Sequence, residues 1–164
     1  MMERRISVIS VNYNGYDLTC AMIDSLRRHV TTPLEIVIVD NGSTRDEAAP
    51  LRERYPDVKV LRSERNLGFA GGNNLGFAAA TGDYLLLLNN DIEVLSHDFL
   101  RELLSYSQRP DVGAVGAKLY YPDDTIQHAG VIMGINGSAG HSHKSYPRKA
   151  VGDLYRLVTT QDYM

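Results

Sequence analysis

The sequence has very little cysteine, and this scarcity limits how the fold can be stabilised. Cys20 is the single cysteine among 164 residues, so no intrachain disulfide can form. It lies within an apolar helical pattern, where a small core side chain is its expected role. A chain without disulfides suits a reducing compartment, so we expect a cytoplasmic location.

The sequence also lacks an excess of basic charge and a long apolar run. Its 17 lysines and arginines stand against 20 acidic residues, which argues against sequence-independent binding of nucleic acid. The apolar run at residues 6–11 ends at Asn12, far short of the roughly 20 residues that a membrane-spanning helix needs. Peripheral association with the inner face of a membrane stays open, because Lys144, Arg148 and Lys149 form a local basic cluster.

Neither of the common glycine-rich nucleotide motifs is present. Residues 67–74 read Leu-Gly-Phe-Ala-Gly-Gly-Asn-Asn, which is neither GxGxxG after a strand nor GxxxxGK[ST]. The sequence therefore predicts neither a dinucleotide site nor an ATP site. The glycines can bring backbone N–H groups close to a ligand, and tight packing of a helix on a sheet explains them almost equally well.

What the sequence does contain is a regular alternation of strand and helix patterns. Apolar, mostly β-branched or leucine-rich runs predict strands at residues 6–11, 34–39, 58–61, 84–88 and 112–118. Helical spacing predicts helices from Asp17, over residues 46–55 and 70–80, and after Ser96. This order predicts an α/β fold with a mostly parallel sheet flanked by helices, in one domain spanning residues 1–164.

Two details of this alternation are specific enough to be checked. The composition of residues 84–88, Tyr followed by four leucines, predicts a strand that is buried on both faces. Residues 126–133 favour a further strand, whereas the glycine-rich residues 134–148 predict a mobile loop.

Polar side chains follow three of the predicted strands. Tyr13, Asp40 and Asp91 each come just after an apolar run. Ligands of open parallel sheets bind beyond the carboxyl ends of the strands, so we expect the three residues to share one rim. Carboxyl groups of Asp40 and Asp91 on opposite sides of the molecule would contradict this expectation.

Asp40 has two interpretations. A buried carboxylate must be paired, and the N3–H of uracil or thymine would satisfy it. Alternatively, Asp40 caps the turn into Ser43 and Thr44, a common role after a strand. The residues alone leave both interpretations open.

Residues 89–91, Asn-Asn-Asp, predict a cation site. Hard divalent cations prefer oxygen ligands together with substrate phosphates, so Asp91 is expected to hold Mg²⁺ or Mn²⁺ against a diphosphate. The cation would neutralise the charge that builds on a departing nucleotide diphosphate. The alternative is a simple polar turn before Ser96.

Aromatic and histidine side chains add weaker candidates. Tyr13 can stack on a nucleobase or fill a gap beside the first strand. His141 and His143 share a face if the chain is extended and would then ligate a metal, although a glycine-rich loop holds ligands poorly. His128 has no partner that the sequence identifies.

Four ordered segments, residues 8–14, 38–43, 66–74 and 88–91, resemble the family 2 glycosyltransferases, which have the Rossmann-like GT-A fold. The likeness is nearest to the rhamnosyltransferase-like branch that builds bacterial surface polysaccharides. The resemblance implies that Asp40 reads a pyrimidine base and that Asp91 matches the last acid of the Asp-x-Asp motif, with Asn89 in place of the first. It assigns the nucleotide-sugar site to Val11, Asn12, Tyr13, Asp40, Asn73, Asn89, Asn90 and Asp91, and the metal to Asp91 and Asn89.

The resemblance also implies a reaction. A UDP- or dTDP-linked sugar would pass, with inversion, to a saccharide or lipid-linked saccharide acceptor, and Asp91 would serve catalysis through the cation. In the family the general base lies in an acceptor-side half beyond a further strand and helix, and Asp162 precedes that position. We therefore expect residues 1–164 to be truncated before that half, to bind a nucleotide and to turn over little donor.

Two other classes of protein remain in view. A sugar nucleotidyltransferase would need a basic glycine-rich loop after the first strand, where residues 12–15 are Asn-Tyr-Asn-Gly. A non-catalytic carbohydrate- or protein-interaction module can share the fold, because fold alone does not fix function.

Overall fold

A computed structural model describes residues 5–135 and 138–161. These residues fall into two compact units, which divide after Asp98. The assignment of residues 1–164 to one domain stays a prediction, and Asp162 lies outside the described residues.

The first unit is a parallel sheet with helical crossovers. Its strands lie in the order β3-β2-β1-β4, and every neighbouring pair is parallel. This confirms the predicted mostly parallel α/β sheet flanked by helices. In chain order the elements are β1 (Ile6–Asn12), α1 (Tyr16–His29), β2 (Leu34–Asn41), α2 (Ala48–Arg54), β3 (Lys59–Ser63), α3 (Gly68–Ala79) and β4 (Tyr84–Leu87).

The two central strands form the core of this unit. β1 and β2 are rich in isoleucine and valine, and they are buried on both faces because helices cover the sheet. Helix α1 buries Met22, Ile23 and Leu26, whose helical spacing was visible in the sequence. The helix predicted from Asp17 begins one residue earlier, at Tyr16: Gly15 occupies the N-cap position, and Asp17 lies in the first turn.

Helix α3 approaches the sheet closely through glycine. A Cβ atom placed on Gly76 would lie 2.4 Å from Cγ2 of Ile9, and one on Gly72 would lie 3.0 Å from Val11. A methyl group at Gly76 would force Ile9 to shift, and one at Gly72 would be in tight contact with Val11. The tight-packing interpretation of the glycines is therefore confirmed for Gly72 and Gly76.

The prediction that the leucine-rich strand is buried on both faces is wrong. Leu85 is 40% exposed and Leu87 is 56% exposed. In the described sheet β4 lies at the end of the strand order and pairs with β1 alone. The apolar composition of a strand does not tell whether it has one neighbour or two.

The second unit consists of α4 (Phe99–Ser107) and short antiparallel pairs. β5 (Leu119–Tyr120) pairs with β6 (Ile126–His128), and β7 (Val131–Ile135) pairs with β8 (Ser138–His141). A single 3₁₀ turn follows at Asp153–Tyr155.

Two predictions for this second unit are wrong. Residues 112–118 form no strand, which fits the weakening effect of Gly113 and Gly116 within a short run. The expected loop at 134–148 contains much of the β7–β8 pairing; Asn136 and Gly137 lie outside the described residues.

In the part of the chain that the structure describes, no helix has both the length and the apolarity needed to cross a membrane.

Candidate functional site

A cleft of about 360 Å³ opens at the carboxyl ends of β1, β2 and β4 in the first unit. Its size is within the usual range for ligand sites. Five of the predicted site residues line it, two from the β1 end and three from the segment after β4. The lining consists of Val11, Tyr13, Asn41, Asn66, Gly68, Phe69, Asn89, Asn90 and Asp91.

Two uncovered aromatic side chains line the cleft. Tyr13 is 50% exposed and Phe69 is 65% exposed. Large aromatic surface left in water favours a flat apolar partner such as a nucleobase. Sequence reasoning considered Tyr13 and missed Phe69, although Phe69 stands in the glycine-rich segment at the start of α3.

The loop that carries Tyr13 is held by the loop after β2. Asn14, at φ +51°, donates its backbone N–H to the Ser43 hydroxyl at 2.9 Å and accepts the Thr44 N–H on its side chain at 2.8 Å. The Gly15 N–H reaches Glu47 at 3.0 Å. Tyr13 therefore projects from a fixed turn, although its own side chain is half exposed.

Two side chains that can offer oxygen ligands lie in the same cleft without a partner among the described residues. Asn89 and Asp91 are exposed, and neither side chain forms a hydrogen bond or ion pair with another described residue. Asn90 differs, because its amide nitrogen donates to the Thr19 hydroxyl at 3.1 Å. One carboxylate and one amide are thus free to contact a ligand.

This donor set fits a hard cation that takes most of its ligands from elsewhere. Mg²⁺ is commonly held by one or two carboxylates together with phosphate oxygens and water. Across residues 5–135 and 138–161, no group of three or more histidine, cysteine, aspartate or glutamate side chains is placed to hold a metal. Asp91 and Asn89 can therefore supply only part of a coordination shell.

Asp40 lies apart from the cleft lining. Its side chain is fully buried; one oxygen accepts the Ser43 N–H at 3.2 Å, which is the turn-capping role. The other oxygen lies 3.5 Å from the Arg62 guanidinium and has no hydrogen-bond partner among the described residues. The next residue, Asn41, lines the cleft instead.

Asn12 and Asn73 also lie outside the lining. Asn12 is fully buried, and its amide nitrogen donates to Glu47 at 2.7 Å while its oxygen accepts from Thr19 at 2.7 Å. Asn73 is 8% exposed and donates to the Phe69 carbonyl, one turn earlier in α3. Their assignment to nucleotide contact stays a prediction. In this structure the side chains of both residues form hydrogen bonds within the protein.

The floor of the cleft is built by residues that the sequence analysis did not select. The Asn41 amide nitrogen donates to Asn66 and to the Gly68 carbonyl, both at 3.1 Å, and its oxygen accepts the Leu67 N–H. Gly42, at φ +79°, lies so close to this loop that a Cβ would be 2.5 Å from the Arg65 carbonyl carbon. The end of β2 thus fixes the entry to α3.

Comparison with known proteins identifies the family. The sequence matches the model of Glycosyl transferase family 2 over residues 7–155. The chain belongs to glycosyl transferase family 2. This confirms the resemblance seen in the ordered segments.

Relatives of this family 2 chain include named proteins of polysaccharide synthesis. The O-antigen biosynthesis protein RfbC of Myxococcus xanthus is 40% identical over 140 residues, which cover 84% of this chain and 11% of RfbC. The O-antigen chain rhamnosyltransferase RfbN of Salmonella typhimurium is 25% identical over 73% of this chain and 38% of RfbN.

A solved structure shares the fold. The mannosyltransferase PcManGT from Pyrobaculum calidifontis, in complex with GDP-Man and Mn²⁺, matches with a TM-score of 0.65 and 26% identity. The match covers 76% of this family 2 chain and 38% of PcManGT. The chain thus spans well under half the length of each of these three proteins.

The second unit of the family 2 chain holds a histidine pair. The Nδ1 atoms of His128 and His141 lie 2.9 Å apart. His143 instead contacts Ser142 and the backbone N–H of Asp153, so His141 is paired with His128 and not with His143. Burial, and then the nearness of His141, lower the pKa of His128 below its ordinary value.

Proposed function

We propose that the cleft binds a nucleotide diphosphate-sugar and that the protein transfers its sugar to a saccharide acceptor in surface polysaccharide synthesis. The observation that carries the proposal is the composition of one cleft. Exposed aromatic faces of Tyr13 and Phe69 lie in it together with the side-chain oxygens of Asn89 and Asp91, which have no partner among the described residues. This combination suits a ligand that is flat at one end and multiply anionic at the other.

The aromatic side chains would take the base. Stacking on an aromatic ring is commonly worth about 1–3 kcal/mol per base and tolerates any base. Selectivity for uracil or thymine would come from Asp40, whose second oxygen lacks a hydrogen bond among the described residues. In the structure Asp40 is fully buried outside the cleft lining, so that contact requires a rearrangement that uncovers its carboxyl group.

Asp91 and Asn89 would hold Mg²⁺ or Mn²⁺ against the diphosphate. When bound, the cation supplies Lewis-acid neutralisation of the charge on the nucleoside diphosphate. The solved structure of PcManGT with GDP-Man and Mn²⁺ supports this assignment by similarity of fold and sequence.

In the proposed reaction an acceptor hydroxyl oxygen bonds to the anomeric carbon from the face opposite the diphosphate. The bond from that carbon to the phosphate oxygen breaks, so the configuration inverts and the nucleoside diphosphate leaves. The hydroxyl proton passes to a general base that we assign to none of the described residues. The acceptor, the peripheral membrane contact and the cytoplasmic location stay predictions.

Calorimetric titration of residues 1–164 with UDP, dTDP and GDP, with and without Mn²⁺, tests the proposal. We expect at least one nucleotide to bind more tightly with Mn²⁺, and Asp91→Ala to remove that gain. Glu93→Ala is the matched control, because Glu93 is an exposed carboxylate two residues away whose nearest ion-pair partner is Arg28 at 3.8 Å. Absence of nucleotide binding would favour the interaction-module alternative. If Asp91→Ala and Glu93→Ala lose the Mn²⁺-dependent gain in affinity equally, Asp91 has no specific role in holding the cation.

A further inference from the structure

A series of internal hydrogen bonds begins at Glu47, a residue outside the cleft lining. Glu47 directly precedes α2, and one of its carboxylate oxygens accepts the Asn12 amide at 2.7 Å and the Gly15 N–H at 3.0 Å. A single carboxylate oxygen therefore ties the end of β1 to the start of α1. Tyr13 lies between these two attachment points.

From Asn12 the series continues into the opposite side of the cleft. The Thr19 hydroxyl donates to the Asn12 side-chain oxygen at 2.7 Å, and it accepts the Asn90 amide at 3.1 Å. A hydroxyl has one hydrogen to donate and lone pairs to accept, so both bonds can exist at once. Asn12 and Thr19 are fully buried, so no water is available to replace a lost partner.

Close contact supplements these bonds. A Cβ atom on Gly15 would lie 2.8 Å from the Asn90 amide nitrogen and 3.4 Å from the Asn12 oxygen. Asn90 therefore rests against the same turn that Glu47 holds. The turn that carries Tyr13 and the segment that carries Asn90 and Asp91 are fixed relative to each other.

We propose that Glu47 is a positioning residue for the cleft, acting directly on the Tyr13 turn and, through Asn12 and Thr19, on Asn90. Thr19 is the link between the two sides. This inference rests on the proposed function for the identity of the ligand, but not for the arrangement of the bonds. Neither Glu47 nor Thr19 lines the cleft, so we expect neither to touch the ligand.

Two matched pairs of variants in residues 1–164 test this role. Thr19→Val removes the hydroxyl at nearly constant volume, whereas Thr19→Ser keeps it. Glu47→Ala removes the carboxylate, and Glu53→Ala removes an exposed carboxylate of α2 that has no hydrogen bond or ion pair to another described residue. The nucleotide is whichever of UDP, dTDP and GDP binds the wild type.

We expect Glu47→Ala and Thr19→Val to raise Kd about tenfold, as for loss of a buried hydrogen-bond partner, while Thr19→Ser and Glu53→Ala stay within about twofold. In the free protein, NMR should show displaced signals for the Asn90 side-chain amide in Thr19→Val, and for that amide and the Tyr13 backbone amide in Glu47→Ala. Circular dichroism checks that each variant folds, and Glu47→Leu, which also lacks an acceptor oxygen but keeps more of the side-chain volume, replaces Glu47→Ala if the latter does not fold.

The outcomes separate the two proposals. If the wild type binds no nucleotide, the proposed function fails, and the NMR signals of the free protein alone decide the positioning role. Unchanged signals and unchanged Kd in Glu47→Ala and Thr19→Val would overturn the inference. If Thr19→Ser and Thr19→Val lose nucleotide affinity equally, the Thr19 hydroxyl is not the link between the two sides of the cleft.

Discussion

Arg62 on β3 is the register partner of Asp40 on β2, and its guanidinium lies 3.5 Å from the Asp40 oxygen that has no hydrogen bond among the described residues. The same guanidinium lies 2.7 Å from Asp46. Asp40 is fully buried, whereas the Arg62 side chain is 29% exposed. Arg62 is thus the cation that compensates the buried carboxylate of Asp40.

Replacing Arg62 with glutamine should destabilise the protein strongly. Removing one partner of a buried pair leaves an uncompensated charge and costs about 3–5 kcal/mol, and the partial exposure of Arg62 places the expected loss near the lower limit. Urea unfolding at pH 7 measures it. Asp46→Asn, which removes only the exposed partner of Arg62, should lower the unfolding free energy clearly less. Equal losses in the two variants would show that the pair of Arg62 with Asp40 contributes no more to stability than its pair with Asp46.

Acid should destabilise the fold partly through Glu35. Burial raises the pKa of Glu35, but hydrogen bonds from Ser7, the Thr81 backbone and Lys59 outweigh it and bring the pKa from 4.5 to about 2. The folded pKa is depressed, so this stabilisation is complete above about pH 4.5 and is lost as the pH falls toward 2. Its full value is roughly 3 kcal/mol.

The variant Glu35→Gln isolates this contribution from those of other carboxylates. We expect wild type to exceed the variant in unfolding free energy at pH 6 and the difference to shrink steadily between pH 4.5 and 2.5. A difference that is constant across this range would show that the Glu35 charge does not carry the effect.

The sequence predicted the central part of the fold well, because its signals there are local. A run of β-branched residues identifies β1 and β2, and the spacing of Met22, Ile23 and Leu26 identifies the buried face of α1. The position of β4 at the end of the strand order depends on which distant segments pair with it. No local pattern contains that information, so the exposure of Leu85 and Leu87 was missed.

The candidate site was predicted in location but only partly in its residues. Side chains alternate between the two faces of a strand, so the side chains of neighbouring residues at a strand end lie on opposite faces of the sheet. Val11 and Asn41 lie on the face toward α3, within 3.0 and 3.3 Å of a Cβ on Gly72, and both line the cleft. Asn12 and Asp40 are register partners on the other face of the sheet, so their side chains do not line the cleft.

His128, which lies beside His141 in the second unit, should titrate with a pKa below the ordinary value for histidine. The lowered pKa of His128 means that the fold favours its neutral form. Its contribution to stability is complete above about pH 6.5 and declines as the pH falls below 6.5, where the unfolded chain takes up the proton first. NMR titration should give a pKa for His128 below 6.5 that rises in His141→Ala. A pKa at or above 6.5 in the wild type would contradict the structure.

Gly76 should resist replacement although it lies within a helix. Alanine favours a helix over glycine by about 1 kcal/mol, but a Cβ at Gly76 meets Ile9 at 2.4 Å and Val39 at 3.3 Å. Overpacking of this kind costs about 1–3 kcal/mol, so Gly76→Ala should lower the unfolding free energy. Asn74→Ala, on the exposed face of the same helix, should leave it unchanged or slightly raised. Stabilisation by Gly76→Ala would mean that α3 lies farther from the sheet, and the wall of the cleft that carries Phe69 would then be less firmly placed than the glycine contacts indicate.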